Sequence, residues 1–156
     1  NQKQEVNDLS EYEGIIDFNR LTKLNEVLKR VSKVMLIEAD CTHKNLFYMG
    51  RIDCLAYFDD ELFLIDWKIN ESRKETIRDL YDTPIQIAAY LGAYLNDPKH
   101  AKVRQEHKIK GGLFVNICKT TGDVDLHIIN YQLAEYFWYK WLSYLRKFWT
   151  IVLKNK

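Results

Sequence analysis

Two spacings of apolar residues alternate along the chain, one typical of helices and the other of strands. A helical period over residues 21–32 predicts a first helix. Apolar and polar residues then alternate over Val34–Cys41, and residues that favour strands fill Tyr48–Phe58 and Leu62–Lys68. Only residues 59–61 separate the last two runs, which predicts a hairpin. The first half of the chain is therefore expected to form a helix and three strands.

A second helix is expected after the charged connection over residues 69–83. It begins at Thr83-Pro84 with Asp82 or Thr83 as its cap, because proline is tolerated in the first helical turn, and it ends near Asn96. The polar residues 99–110 then predict a surface loop. Gly111-Gly112 closes that loop, since paired glycines interrupt regular structure.

The last part of the chain predicts a hairpin and a long helix. Leu113–Cys118 and Val124–Ile129 are strand-like and flank a turn at Thr121-Gly122, and apolar residues then recur at helical spacing over 133–152. The order of elements indicates a mixed sheet flanked by helices, in the α/β or the α+β class.

Length, composition and charge limit the classes of protein to which the chain can belong. The chain has 156 residues, of which 47% are hydrophobic, enough for one core and a single domain over residues 1–156. No apolar run reaches the roughly 18–20 residues that cross a bilayer, and no secretory or transit signal is visible, so we expect a soluble protein without a membrane. The net charge of +1 does not by itself indicate a strongly basic nucleic-acid binder.

Cysteine and histidine patterns exclude a structural zinc site. Cys41, Cys54 and Cys118 are an odd, widely spaced set that we expect to be buried free thiols in a reducing, intracellular compartment. The four histidines have no metal-motif spacing. A metal ion here would therefore need carboxylate ligands.

The predicted hairpin gathers charged side chains on one face. Side chains alternate along a strand, so Asp66 and Lys68 point to the same side. A turn at Asp59-Asp60 places Asp53 opposite Asp66, and a shift of two residues places it opposite Lys68. Either register brings two carboxylates and an ammonium together.

That group of charges fits metal-dependent hydrolysis of a phosphodiester. Adjacent carboxylates repel each other unless a cation lies between them, and oxygen ligands favour Mg²⁺ or Mn²⁺. We assign Asp53 and Asp66 as metal ligands and the backbone carbonyl of Trp67 as a further candidate. Lys68 is expected to orient the attacking water and stabilise the transition state.

Two alternatives stand beside these assignments. Glu38 interrupts an otherwise apolar strand and is either a further metal ligand or an edge residue with a salt-bridge partner. Asp66 and Lys68 taken alone form the kind of ion pair that strands often carry at their surface.

Gln86 and Tyr90 add an independent pair on the second helix. They lie one helical turn apart, where Gln86 can reach a phosphate or Lys68 and Tyr90 can hold a base or a phosphate. Taken alone, such a pair is more often ordinary helix surface. The packing face of this helix is predicted to contain five small or apolar residues, which are Ile85, Ala88, Ala89, Gly92 and Leu95.

The motifs GRIDC, LIDWK and TPIQIAAYLGAYLND together resemble the PD-(D/E)XK nuclease superfamily, in its RecB-like branch with a QxxxY motif. The resemblance covers roughly residues 34–153. It implies a restriction-endonuclease-like core, with helix, three strands, helix and strand in that order. It also implies catalytic roles for five residues, namely Asp53, Asp66, Lys68, Gln86 and Tyr90.

The same resemblance implies a function. It predicts a Mg²⁺- or Mn²⁺-dependent DNA exonuclease that acts on single-stranded ends or flaps, with a mitochondrial location and a role in mitochondrial DNA maintenance. The chain departs from the pattern at Ile52, where a proline is usual, and at Ile69-Asn70, where small hydroxyl residues are usual.

One further departure concerns a histidine. The branch has a metal-site histidine on an upstream helix, whereas residues 1–33 contain none, so that ligand is missing or lies outside this chain. We do not expect His43 to replace it, because a histidine just after a strand is usually a surface or turn residue. The alternative function is a catalytically impaired, nucleic-acid-binding module, and a third is a plain structural domain.

Single-stranded DNA is usually held by basic side chains and aromatic rings. Arg73, Lys74 and Arg78 are candidates for the phosphates, although solvated surface charge is the commoner role of any one of them. The carboxy-terminal helix is rich in aromatic residues. Its helical spacing predicts a core face of Phe137, Trp141, Tyr144 and Phe148, with Trp138 and Trp149 partly exposed.

Overall fold

The computed structural model describes residues 18–155, with side chains from Leu21 onward. Short 3₁₀ turns occupy Lys44–Leu46, Ile77–Leu80 and Pro98–His100. The helices and strands, in chain order, are α1 (Phe18–Leu28), β1 (Val31–His43), β2 (Tyr48–Phe58), β3 (Glu61–Asn70), α2 (Thr83–Asn96), α3 (Ala101–Glu106), β4 (Ile109–Cys118), β5 (Val124–Asn130) and α4 (Tyr131–Lys154).

The strands form a mixed sheet in the order β1-β2-β3-β4-β5. Neighbours are antiparallel except β3 and β4, which are parallel and joined by the connection that contains α2. A crossover helix is the usual way to connect two parallel strands. The predicted α/β class and the restriction-endonuclease-like order of elements are confirmed.

Three predicted boundaries were wrong. The first helix ends at Leu28, and Val31, which matched its period, instead begins β1 and pairs with Phe58. The predicted loop over residues 99–110 contains a 3₁₀ turn, α3 and the start of β4. Gly111-Gly112 lies inside β4, where Gly112 allows close packing, since a Cβ there would lie 2.1 Å from Ile87 Cγ2.

Of the two registers that the sequence left open, the β2-β3 hairpin has the one set by a turn at Asp59-Asp60. Cys54 pairs with Ile65 and Phe58 with Glu61, which is the alignment that continues to Asp53 and Asp66. Asp59 and Asp60 form the turn with φ of 48° and 63°, and positive φ at both central residues is typical of a tight hairpin turn.

Helix α2 is buried on two sides. Ile87, Leu91 and Tyr94 belong to the core against the sheet, whereas Ile85 and Ala88 pack with α4. The predicted packing face was therefore only the side towards α4, and its last member, Leu95, is 39% exposed. This burial fixes α2, and hence Gln86 and Tyr90, relative to the strands.

Helix α4 buries a different face from the one predicted. Phe137 and Leu145 are buried, but Tyr144 is 48% and Phe148 55% exposed, so these two were wrongly assigned to the core. His43 was also wrongly expected at the surface. It is buried, and its ring stacks on Tyr48 at a centroid distance of 5.4 Å.

The three cysteines are free thiols, and Cys41 and Cys118 are buried. Within residues 18–155, no helix is both long and apolar enough to cross a membrane.

Candidate active site

The candidate site lies where β2 and β3 stop pairing with each other. Their ladder ends at Cys54 and Ile65, although β2 continues to pair with β1 and β3 with β4. Asp53 and Asp66 are the next residues on the two strands. The Asp53 carboxylate accepts a hydrogen bond of 3.1 Å from the Trp67 backbone N–H, so a side chain connects the strands where the ladder has ended.

Asp66 is the buried acid of the site, with only 3% of its side chain exposed. Its Oδ1 accepts a hydrogen bond of 3.2 Å from Lys68 Nζ. Its Oδ2 forms an ion pair of 2.9 Å with the same nitrogen and has no hydrogen bond to another described residue. Burial raises the pKa of Asp66; Lys68 opposes that shift and the charge of Asp53 adds to it.

A chain of hydrogen bonds joins Asp66 to α2. Lys68 Nζ also donates to Gln86 Oε1 at 3.1 Å, and Gln86 Nε2 donates to the Tyr90 hydroxyl at 2.8 Å. The structure thus brings four of the five sequence-predicted catalytic residues into one connected group. Asp53 is linked to it through the Trp67 N–H and through its electrostatic effect on Asp66.

Gly50, which was not predicted as a site residue, leaves open the space that the Tyr90 ring occupies. A Cβ at Gly50 would lie 2.5 Å from Tyr90 Cε1, far inside van der Waals contact. The GRIDC motif includes this glycine, but a sequence does not show which side chain occupies the space above it.

A hard divalent cation fits the carboxylates of this site. Such ions prefer oxygen ligands, and Asp66 Oδ2 is a buried carboxylate oxygen whose described partner is the Lys68 ammonium, 2.9 Å away. Among residues 18–155, no group of three or more His, Cys, Asp or Glu side chains is arranged to hold a metal. Among the described residues, the Asp53 and Asp66 carboxylates and backbone oxygen are therefore the groups next to a cation here, and Glu38 is the further predicted ligand.

Glu38 lies beside this position on β1. Its neighbours Ile37 and Ala39 pair with Cys54 and Ile52, which puts Glu38 across from Asp53. It is exposed and has a φ of 47°, an unusual value for a residue other than glycine. Its role as a ligand stays a prediction.

A cleft of about 500 Å³ opens next to the ammonium of Lys68. Its lining includes Gln86, Lys74 and Tyr81, together with two acids, Asp79 and Asp82. Tyr81 is 80% exposed, and the Lys74 Nζ lies 4.9 Å from the centre of its ring. Lysine ammonium groups and an exposed ring are suited to an anionic, aromatic ligand.

The other two predicted DNA-binding residues differ in their surroundings. Arg73 donates from Nε to Asp125 Oδ1 at 2.9 Å, so its guanidinium is already engaged by a buried carboxylate. Arg78 is exposed in the 3₁₀ turn before α2. Binding of DNA by Arg73 would have to compete with Asp125, which the sequence did not reveal because the two residues are 52 positions apart.

The sheet, the crossover helix and the linked acid, lysine, glutamine and tyrosine define a nuclease fold. The chain belongs to the PD-(D/E)XK nuclease superfamily, whose family model matches residues 13–154. It is similar to mitochondrial genome maintenance exonuclease 1 of Xenopus tropicalis, with 34% identity over 128 residues and 82% of this chain. The Homo sapiens protein of the same name is 30% identical over 136 residues, which is 87% of this chain.

These relatives are much longer than the matched region. It corresponds to 35% of the Xenopus tropicalis protein and 38% of the Homo sapiens protein. The corresponding Mus musculus protein is 31% identical, and 36% of its length is matched. The similarity therefore concerns little more than a third of each relative's length.

Proposed function

We propose that this chain is the nuclease domain of a Mg²⁺- or Mn²⁺-dependent exonuclease that hydrolyses single-stranded DNA at ends or flaps. The observation that carries the proposal is the connected group of Asp66, Lys68, Gln86 and Tyr90 beside Asp53. The names of the relatives further support an exonuclease in mitochondrial DNA maintenance, and hence a mitochondrial location.

Asp53, Asp66 and the Trp67 carbonyl are the groups that would hold the cation. When bound, it would neutralise the phosphate and lower the pKa of a coordinated water. Glu38 would join this set through its position across from Asp53. The Trp67 N–H fixes one oxygen of Asp53, which leaves the other oxygen available as a ligand.

Lys68 contributes directly to the reaction in this proposal. An ammonium has three N–H donors, and its hydrogen bonds to described residues engage two of them, one with Asp66 and one with Gln86. The third can donate to the attacking water or to a phosphate oxygen and so stabilise developing negative charge. Gln86 is a positioning residue, because its amide joins Lys68 to Tyr90.

Replacement of Lys68 tests the catalytic part of the proposal. With end-labelled single-stranded DNA and Mn²⁺, we expect Lys68→Ala to reduce the cleavage rate by about 100-fold or more, since a positioned donor to the transition state is lost. Lys110→Ala is the matched control, because Lys110 is a strand lysine paired with Glu61 on the surface. Equal cleavage by wild type and Lys68→Ala would contradict the assigned role.

Metal binding can be measured independently of DNA cleavage. In calorimetric titrations with Mn²⁺, we expect Asp53→Ala and Asp66→Ala each to weaken binding at least about tenfold, because each removes a carboxylate ligand. Asp40→Ala is the control, since this acid is paired with Arg51 instead. If all three variants bind Mn²⁺ as wild type does, the site is not formed by these carboxylates.

A non-catalytic binding module is the second candidate function. It would bind single-stranded DNA at the cleft that Lys68 and Lys74 line, without turnover. Binding of single-stranded DNA by wild type without cleavage in Mg²⁺ or Mn²⁺ would support the module and overturn the enzyme.

A further inference from the structure

A second cavity, of about 310 Å³, shares Gln86 with the lysine-lined cleft. Its wall includes Gln86 and Tyr90 from α2, Met49 from β2, and Trp141 and Tyr144 from α4. Its volume is at the lower end of those typical of ligand pockets. The two spaces meet at Gln86, which is hydrogen-bonded to Lys68, and at Asp82, which lines both.

The two spaces have different chemistry. Four charged residues of the described chain line the first, the cations Lys68 and Lys74 and the acids Asp79 and Asp82. Aromatic rings and a methionine dominate the second, whose only charged lining residue among those described is Asp82. Met49 is 70% and Tyr144 48% exposed, so apolar surface is presented at this cavity. Apolar and aromatic side chains held at a surface usually have a binding role when they converge on a concave site.

A nucleotide has one part for each of these spaces, an anionic phosphate for the first and a flat aromatic base for the second. We propose that the second cavity is a nucleobase subsite, which receives the base of a nucleotide adjoining the phosphate in the lysine-lined cleft. The inference rests on the proposed function and adds a substrate contact to it. Stacking on aromatic rings is possible for every base, so the subsite would accept DNA of any sequence.

The lining residues have separate roles in this subsite. The hydroxyl of Tyr90 is held by Gln86, so its ring has a fixed position next to the catalytic group. Trp141 packs with Ile85 and Phe137 between α2 and α4 and therefore also supports the fold. Tyr144 and Met49 are more exposed, and they can be replaced with less effect on the core.

Tyr144→Ala tests the subsite. We expect this variant to lower kcat/KM on oligothymidylate by about five- to 100-fold, the usual range for loss of one stacking contact. Tyr144→Phe should retain most of the wild-type value, because the ring and not the hydroxyl makes the contact. Tyr139→Ala is the matched control, since Tyr139 is on the same helix and is 64% exposed but does not line the cavity.

An abasic oligomer of the same length distinguishes stacking from a structural effect. Wild type should cleave it less efficiently than oligothymidylate, and Tyr144→Ala should cleave it as well as wild type does. Met49→Ala should behave like Tyr144→Ala with a smaller loss.

Three results would overturn the subsite. They are an unchanged kcat/KM for Tyr144→Ala on oligothymidylate, an equal loss on both substrates, and a loss in Tyr139→Ala as large as in Tyr144→Ala. Failure of wild type to bind or cleave either oligomer would instead remove the proposed function on which the subsite depends.

Discussion

At the scale of single residues, the position of Tyr90 depends on the absence of a side chain at Gly50. The ring of Tyr90 occupies the space that a Cβ would need, with the closest ring atom 2.5 Å from that position. The Tyr90 hydroxyl accepts the hydrogen bond from Gln86, and Gln86 accepts one from Lys68. A glycine on β2 thereby influences a lysine on β3 through two side chains of α2.

Gly50→Ala should therefore disturb the site more than the fold. The added methyl group forces the Tyr90 ring to move, and misplacement of a catalytic group by about 1 Å can reduce a rate by roughly 100-fold. We expect a loss of about tenfold to 100-fold in cleavage of single-stranded DNA. In a Tyr90→Ala background, Gly50→Ala should cause no further loss; an additive loss would show that Gly50 acts elsewhere.

At the scale of elements, the β2-β3 hairpin aligns the two acids through a turn that lacks the preferred residue at its second position. Asp59 and Asp60 both have positive φ, a conformation that costs most residues with a Cβ roughly 1–2 kcal/mol and aspartate less. Asp59 has a compensating contact, because its Oδ1 accepts a hydrogen bond of 3.0 Å from Arg30 Nε. Asp60 is exposed at the second turn position, where glycine is the preferred residue.

Asp60→Gly is therefore expected to stabilise the protein. Glycine relieves the backbone strain of the folded state, but it also makes the unfolded chain more flexible, which offsets part of the gain. The free energy of unfolding should therefore rise by about 0.5–1 kcal/mol. Chemical denaturation of wild type and variant would measure this change in the free energy of unfolding. Asp60→Ala keeps a Cβ and should give no such gain, so equal stabilisation by both variants would argue against a backbone cause.

At the scale of the whole molecule, Asp125 on β5 holds the connection that leads from β3 to α2. Its Oδ2 accepts from the Lys74 backbone N–H at 2.7 Å and from Asn116 Nδ2 at 3.0 Å, and its Oδ1 accepts from Arg73. Asn116 in turn accepts a hydrogen bond of 2.7 Å from Asn70, next to the cleft. The network joins the edge of the sheet to the residues that line the lysine-containing cleft.

Stability should depend on the charge of Asp125. Burial alone would raise the pKa of this carboxyl, but the Lys74 N–H, Arg73 and Asn116 together hold it below its usual value. A carboxyl with a lowered pKa in the folded state stabilises the protein above its unfolded-state pKa of about 3.9. That contribution is lost as the pH falls through the lower, folded-state value.

Asp125→Asn should consequently lower the free energy of unfolding by about 1–3 kcal/mol at pH 7, the usual cost of disrupting a buried hydrogen-bonded carboxylate. Because the Arg73 side chain is about half exposed, solvent screens its charge, and we expect a loss in the lower part of this range. The difference from wild type should begin to shrink below about pH 4, where Asp125 of the unfolded chain takes up a proton, and should disappear as the pH falls through the lower folded-state pKa. A difference that is the same at pH 3 and pH 7 would exclude the charge as its cause.

Local patterns predicted much of the fold and the candidate site. Strand alternation placed Asp66 and Lys68 on one face, the turn at Asp59-Asp60 set the register towards Asp53, and helical spacing put Gln86 beside Tyr90. Each of these relations joins residues close in sequence, where backbone geometry alone fixes which side chains are neighbours.

Other features followed only from tertiary contacts. Among them are the end of the β2-β3 ladder at Cys54, the packing of the Tyr90 ring against Gly50 and the hydrogen bond from Arg73 to Asp125. The spacing of α4 likewise predicted a buried Tyr144, although the structure exposes it beside a cavity. Periodicity shows which residues share a face, but what covers that face depends on how distant segments pack, and no local pattern contains that information.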